Sequence, residues 1–182
     1  MSSLKETPDG PGFQSERILV QSWTAFLDGR ERLKGLIEEL EPVLTPNVLR
    51  HLPEPLQISE ATDAVARWVA DREEESDAYV VREKTSSTLL GLLILAEFPE
   101  PNGITTIHLG YLFAESAWGN GYATELLLGL VRWMGEQNRQ VQFLAGVEKG
   151  NAASARVLQK SGFERSPGLS SNETDMFRLT LR

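Results

Sequence analysis

The pattern of apolar and polar residues is clearest in the second half of the chain. Residues 104–113 have the sequence ITTIHLGYLF, which is rich in β-branched and aromatic side chains and predicts a strand. Residues 118–125, WGNGYATE, then carry two glycines. From there on, apolar residues recur at the i, i+3, i+4 and i+7 spacing of one helical face: Ala123, Leu126, Leu127, Leu130, Val131 and Met134. The sequence therefore predicts a strand and a helix joined by a glycine-bearing turn.

The same two periodicities predict the other elements. Strands are expected at 17–23, 78–82, 89–98, 141–147 and 175–181. Helices are expected at 28–40, at 151–161, and from an N-cap at Ser59 to the charged run at 71–75. Prolines at 42, 46, 53 and 55 predict short helical turns and loop between the helix at 28–40 and the one that starts at Ser59. This order predicts one mixed α/β domain over residues 16–182, preceded by a flexible tail over residues 1–15.

Composition and charge narrow the function classes. The 182 residues are 41% hydrophobic and 24% charged, as in an ordinary globular domain, and the net charge is -8. That charge argues against general binding to DNA or to an anionic membrane and mildly favours a cationic substrate. The absence of Cys excludes a disulfide scaffold, a thiolate metal site and a cysteine nucleophile. We predict no metal site. A polar start and apolar runs too short to span a bilayer predict a cytoplasmic protein.

The turn at 118–125 has the geometry of an anion site. A turn between a strand and a helix directs unpaired N–H groups and the positive end of the helix dipole at one point, where phosphate is the natural ligand. A plain tight connection is the alternative. No Lys-Ser or Lys-Thr pair follows the glycines, as a Walker loop requires. Thr124 stands where a dinucleotide fingerprint has Gly or Ala, and Glu148 lies too far on for its acidic partner.

Two motifs in order carry a family resemblance. Gly110-Tyr111-Leu112 followed by WGNGYATE, and then Asn151-x-x-Ser154 leading into VLQKSGF, resemble the GNAT superfamily of acetyl-CoA-dependent N-acetyltransferases. The pattern is most similar to its ribosomal-protein N-terminal (RimJ/RimL-type) branch. In the superfamily motif Gln/Arg-x-x-Gly-x-Gly/Ala, Trp118 stands at the first position, which departs from the superfamily pattern. The resemblance covers residues 77–165 well and implies a mixed, mostly antiparallel central sheet flanked by helices.

The resemblance also implies a binding site for acetyl-CoA, the acetyl donor. The pyrophosphate would lie on the turn formed by Trp118, Gly119, Asn120, Gly121, Tyr122, Ala123 and Thr124. The pantetheine arm would pair like an added strand with the backbone of Tyr111, Leu112 and Phe113, whose donors could also polarise the thioester carbonyl. Asn151 and Ser154 would contact the cofactor. Some of the basic residues in the second half could bind its 3′-phosphate: Arg132, Arg139, Lys149, Arg156 and Lys160.

Catalytic roles follow from what acetyl transfer to an amine requires. Many relatives protonate the leaving thiolate with a Tyr seven residues after the Asn, but Leu158 stands there, and Ser154 is the replacement that this branch implies. Alternatively, Asn151 and Ser154 only cap a helix. His108 stands where relatives often have Glu and is the predicted base, with Glu97 and Glu148 as further choices. A purely structural role for His108 is the alternative.

The acceptor is left open. The resemblance implies a primary amine, either a protein N-terminus or a small-molecule amine, attacking directly in a ternary complex. His51 falls in the region that forms the acceptor side of the cleft in the family, although a loop histidine without a role is the simpler explanation. Two other functions stay open: a catalytically degenerate acetyl-CoA-binding or interaction module, and a toxin-like enzyme acting on aminoacyl-tRNA, which the negative charge disfavours. The resemblance also allows a homodimer.

Overall fold

A computed structural model describes residues 11–53, 56–58 and 63–182. The described strands are β1 (Gly12–Gln14), β2 (Ile18–Ser22), β3 (Asp77–Glu83), β4 (Leu89–Pro99), β5 (Thr105–Phe113), β6 (Val141–Glu148), β7 (Glu164–Arg165) and β8 (Thr174–Leu181). The helices are α1 (Thr24–Leu27), α2 (Arg30–Leu40), α3 (Pro46–Leu49), α4 (Ala64–Glu75), α5 (Tyr122–Gly135) and α6 (Ala152–Lys160). Single 3₁₀ turns occur at Glu115–Ala117 and Pro167–Leu169.

The eight strands form one sheet in the order β1-β2-β3-β4-β5-β6-β8-β7. Every neighbouring pair is antiparallel except β5 and β6, which run parallel. Parallel neighbours need a crossover connection, and α5 supplies it. The sheet is therefore mixed and mostly antiparallel with helices on its faces, which confirms the predicted fold class.

Apolar side chains fill both faces of the sheet. Leu93, Ile107 and Phe143 pack with Leu126 and Leu130 of α5 into one cluster. On the opposite face Leu92 and Val80 belong to a second cluster, which includes α2, α4 and the edge-to-face ring pair of Trp23 and Trp68. β4 lies between the two clusters, and all its residues from Leu89 to Leu95 are buried. This explains its uninterrupted apolar run, since a strand covered on both faces has no polar side to alternate.

The predicted tail over residues 1–15 is wrong for residues 12–14. These residues form β1, which pairs with β2 in the register Phe13↔Val20. Phe13 is only 6% exposed, and its ring lies 5.4 Å from that of Trp133 on α5. One apolar residue among polar ones produces no alternation, so the strand is specified by this long-range contact and not by local pattern. Residues 1–10 lie outside the described part of the chain.

Other predicted elements differ mainly at their ends. The helix predicted from Ser59 begins at Ala64 in the structure, and Ser59 itself lies outside the described residues. α1 and the two-residue strand β7 were not predicted, because both are too short to show a period. The single domain predicted over residues 16–182 stays a prediction.

Candidate active site

The sheet opens between its two parallel strands. β5 and β6 pair only from Thr105↔Val141 to His108↔Leu144. Beyond that point β5 stays paired with β4 as far as Phe113, and β6 stays paired with β8 as far as Glu148. Within the described part of the chain, the facing edges of residues 109–113 and 145–148 are therefore left without a strand partner.

A cavity of about 970 Å³ lies at this opening. Both strand edges line it, together with the start of α6 and part of the segment between α3 and α4. It brings together four of the predicted site residues: His108, Tyr111, Asn151 and Ser154. The glycine turn does not line this cavity; it follows the end of β5 through the 3₁₀ turn at Glu115–Ala117. The site is thus a cleft leading along β5 to the head of α5.

Only alternate residues of β5 direct their backbone groups at the cleft. The amide of Ala114 donates to Leu90 of β4 at 2.8 Å, and a Cβ on Gly91 of β4 would collide with the carbonyl of Leu112. Leu112 and Ala114 therefore face β4, and by the alternation of a strand Tyr111 and Phe113 face the cleft. Of the three residues predicted to pair with the cofactor arm, these two have the required direction.

The glycine turn has the backbone that an anion cradle needs. Gly119 and Gly121 have φ of 75° and 81°, in the left-handed region that disfavours a side chain. A Cβ on Gly119 would meet nothing within 4 Å, and one on Gly121 would meet only the Arg17 guanidinium, at 3.7 Å. The glycines therefore leave open space in front of the turn. Gly121 is the N-cap of α5, whose first-turn amides have no partner within the helix.

Two side chains of the turn hold its shape. Trp118 donates its indole N–H to the carbonyl of Phe113 at 2.8 Å while 49% of the residue stays exposed. Asn120 donates its side-chain amide to the carbonyls of Trp118 at 3.0 Å and Ala117 at 3.3 Å. Trp118 thus fastens the turn to the end of β5 at the motif position that departs from the family pattern.

Arg17, at the turn before β2, is a contact that the sequence analysis missed. Its Nε donates to Glu125 at 2.7 Å and its Nη1 to the carbonyl of Asn120 at 3.0 Å. The guanidinium also lies 4.5 Å from the ring centre of Tyr122. Burial alone would raise the pKa of Glu125, but hydrogen bonds from Ser15 and Arg17 outweigh it and lower that pKa. An ionised Glu125 therefore ties the N-terminal segment to the glycine turn.

Ser154 and Tyr111 meet across the cleft. Asn151 accepts a hydrogen bond from the backbone N–H of Ser154 at 3.0 Å, so the predicted capping is present in the structure. The hydroxyl of Ser154 has a separate partner, since its Oγ lies 2.7 Å from the phenolic oxygen of Tyr111. Burial raises the pKa of Tyr111 to about 12, against the opposing effect of this hydrogen bond. Tyr111 therefore keeps its proton at neutral pH.

The three predicted candidates for the base differ in position. His108 is exposed at the inner end of the cleft, where the pairing of β5 with β6 stops, and its ring lies 5.1 Å from that of Phe98. Glu97 is engaged elsewhere, because its carboxylate accepts from Arg139 at 2.6 Å. Glu148 lines the cavity and contacts Nδ1 of His51, which lines it too.

Among the described residues, no three histidine or carboxylate side chains converge in a way that could hold a metal ion. In the same ranges, no helix combines the length and apolar character that crossing a bilayer requires.

Comparison with known proteins agrees with this geometry. Residues 33–164 match the family model of the acetyltransferase (GNAT) domain. The uncharacterized protein YkkB of Bacillus subtilis (strain 168) is 36% identical over 62 residues, and this match covers 34% of the chain and only 36% of that relative's length. The microcin self-immunity acetyltransferase MccE, solved with acetyl-CoA and AMP, has a TM-score of 0.70 at 14% identity, covering 98% of this chain and all of that one. RimL, a ribosomal-protein α-N-acetyltransferase solved with coenzyme A, has a TM-score of 0.67 at 14% identity, with 92% and 96% covered.

Proposed function

The chain belongs to the GNAT family of acetyltransferases, and we propose that it transfers the acetyl group of acetyl-CoA to a primary amine. The observation that carries this proposal is the opening of the sheet between β5 and β6, which continues to a glycine turn at the head of α5. In such an opening, the free strand edge can form hydrogen bonds with an extended ligand that carries amide groups. The N-terminus of the helix can bind a phosphate group.

The residues present fit acetyl-CoA. The amides of residues 119–124 would bind the pyrophosphate. Gly119 and Gly121 have no side chains that could fill the open space beside the turn, and their positive φ disfavours any other residue there. The backbone groups of Tyr111 and Phe113 would pair with the pantetheine arm along β5. Asn151 and Ser154 line the cleft and would contact the reactive end. Of the basic residues predicted for the 3′-phosphate, Lys149 also lines the cavity, whereas Arg139 is paired with Glu97.

Bound acetyl-CoA supplies a thioester whose carbonyl carbon a free amine attacks directly, without a covalent enzyme intermediate. Ser154 would donate its hydroxyl proton toward the leaving sulfur, and Tyr111, protonated and 2.7 Å away, would donate its own to the Ser154 oxygen. The proton that the attacking nitrogen releases as the amide forms would restore that of Tyr111 through solvent. Ser154 and Tyr111 together would then protonate the thiolate in place of the Tyr that many relatives carry at the position of Leu158. The Leu158 side chain is fully buried in this chain.

The amine arrives mostly as an ammonium ion and must lose a proton before it can attack. His108 is one acceptor for this proton, because its ring is exposed in the cleft. The pair formed by His51 and Glu148 is another. The acceptor class is a primary amine, either a protein N-terminus or a small molecule, and the net charge of -8 favours a cationic one. Cytoplasmic location and a homodimer remain predictions.

One further function has a specific observation behind it. Leu158 at the position of the usual acid favours a module that binds acetyl-CoA without turnover. The experiment is an acetylation assay that follows the release of free thiol. Its three probes are a lysine-free hexapeptide with an N-terminal serine, the same hexapeptide with its N-terminus acetylated, and spermidine. We expect thiol release with at least one free amine and none with the blocked peptide. Acetyl-CoA binding with no release for any amine would instead support the module.

A further inference from the structure

One contact between a histidine and a carboxylate spans the mouth of the cleft between the two halves of the chain. His51 follows α3, in the segment that precedes α4, and Glu148 is the last residue of β6. Nδ1 of His51 contacts the carboxylate of Glu148, 97 positions away. The two side chains keep 27% and 52% of their surface exposed, so a substrate entering the cleft can reach them.

The contacts of His51 fix its tautomer. The Nε of Arg50 donates a hydrogen bond to Nε2 of His51 at 3.0 Å. A guanidinium nitrogen can only donate, so Nε2 must hold a lone pair and no proton. The proton of the neutral ring then lies on Nδ1 and is donated to Glu148. The carboxylate orients the ring, and the basic nitrogen points at a cation.

We infer that His51 is the general base of the reaction and that Glu148 is its positioning residue. This inference rests on the proposed function, because it assigns the group that prepares the amine. The contact with Arg50 indicates where the substrate binds. The guanidinium is a cation that donates an N–H to Nε2, and a substrate ammonium group has the same charge and can donate an N–H in the same way.

The proton transfer balances without another reactant. The ammonium R–NH₃⁺ replaces the guanidinium of Arg50 at Nε2 and gives up one proton, which leaves R–NH₂ and an imidazolium ring. Glu148, on Nδ1, stabilises the new positive charge. Solvent takes the proton from the exposed ring afterwards. Besides Arg50 and Glu148, the charged groups around His51 that line the same cavity are Lys149, Glu173, Arg72 and Glu75.

The tautomer can be measured without cofactor or acceptor, because the chain has two histidines. Protein labelled with ¹⁵N-histidine gives two sets of ring signals, which H51Q and H108Q assign. We expect the Nδ1–H form at His51, and a shift toward Nε2–H in Glu148→Met, which removes the acceptor. Glu136→Met, an exposed carboxylate at the end of α5, is the matched control and should leave the tautomer unchanged. An Nε2–H ring at His51 in the wild-type protein would overturn the assignment.

The kinetic test compares H51Q, H108Q and Glu148→Met with the hexapeptide and spermidine as probes. In H51Q we expect kcat/KM to fall about 100-fold near neutral pH, with the loss shrinking as pH rises toward the pKa of the amine, because free amine needs no base. Glu148→Met should lose less, and acetyl-CoA affinity should not change in any variant. Wild-type kcat/KM and pH profile in H51Q would refute this inference alone, whereas failure of the wild-type protein to bind acetyl-CoA would refute the proposed function itself.

Discussion

The hydroxyl groups of Tyr111 and Ser154 lie 2.7 Å apart, although 43 positions separate the two residues in the chain. Tyr111 belongs to β5 and Ser154 to α6, so their hydrogen bond crosses the opening between the two halves of the sheet. The side chain of Asn151 accepts a hydrogen bond from the backbone N–H of Ser154, so the Ser154 hydroxyl is available to pair with Tyr111. The helix cap thus positions Ser154 so that its hydroxyl lies within hydrogen-bond distance of the Tyr111 hydroxyl.

Ser154→Ala should lower kcat much more than it weakens acetyl-CoA binding. Loss of a positioned proton donor typically costs about 100-fold or more in rate. Tyr111→Phe should cost about tenfold, because Ser154 can still donate its proton but must then regain one from solvent instead of from Tyr111. Steady-state kinetics together with calorimetric acetyl-CoA titrations check both values.

The double variant tests whether the two hydroxyls act as one unit. If they do, Tyr111→Phe adds little to the loss already caused by Ser154→Ala, which is the non-additivity of coupled neighbours. Fully multiplicative losses, or a wild-type rate for Ser154→Ala, would remove the pair from the mechanism.

Gly121→Val should weaken acetyl-CoA binding about 100-fold, or about 2.8 kcal/mol, because a side chain would enter the space in front of the turn. Gly29→Val is the matched control: Gly29 is also a helix N-cap, with φ of 94° and open space around its Cβ position. Both variants carry the strain of a β-branched residue at positive φ, and the strain is larger at Gly29, whose ψ of 141° lies outside the left-handed helical region that Gly121 occupies with ψ of 3°. Equal acetyl-CoA affinity in the two variants would argue against the cradle.

Glu125→Gln should change the pH dependence of stability on the acid side. Contacts with Ser15 and Arg17 lower the pKa of Glu125 below its ordinary value of 4.5. A lowered pKa contributes stability that is present above pH 4.5 and is lost as pH falls through the folded-state value. Melting temperatures of Glu125→Gln between pH 7 and pH 3 should therefore fall less steeply than those of the wild type. Identical slopes would show that the Arg17 contact adds nothing to folding; the exposed Glu136→Gln is the control.

The local pattern of apolar and polar residues predicts the central elements of the sheet well and the edge strand β1 poorly. The β5–turn–α5 unit is visible because each part follows its own period and Gly119 and Gly121 interrupt them. Phe13 is a single apolar residue, and Gly12–Gln14 forms a strand through its pairing with β2 and the burial of Phe13 against Trp133. Nothing near it in the sequence signals that contact.

The same limit applies to the side-chain partners in the site. The contacts of Arg17 with Glu125 and of His51 with Glu148 join residues 108 and 97 positions apart. Sequence motifs point to Tyr111, Ser154 and His108, and the position of His51 in the chain suggests the acceptor side of the cleft. The hydrogen bond between Tyr111 and Ser154 and the contact of His51 with Glu148 are visible only in the fold. Candidate residues could thus be predicted from the sequence, whereas their side-chain partners could not.

The most direct test of the proposed acetyl-CoA site is a thermal-shift titration of the wild-type protein with acetyl-CoA, CoA and NADH. A ligand at 100 times its Kd raises the free energy of unfolding by about 2.7 kcal/mol. For a chain of this size, each kcal/mol moves Tm by about 2–4 °C. We expect acetyl-CoA and CoA to raise Tm by several degrees and NADH to leave it unchanged. A cooperative melting transition that acetyl-CoA does not shift would contradict the account.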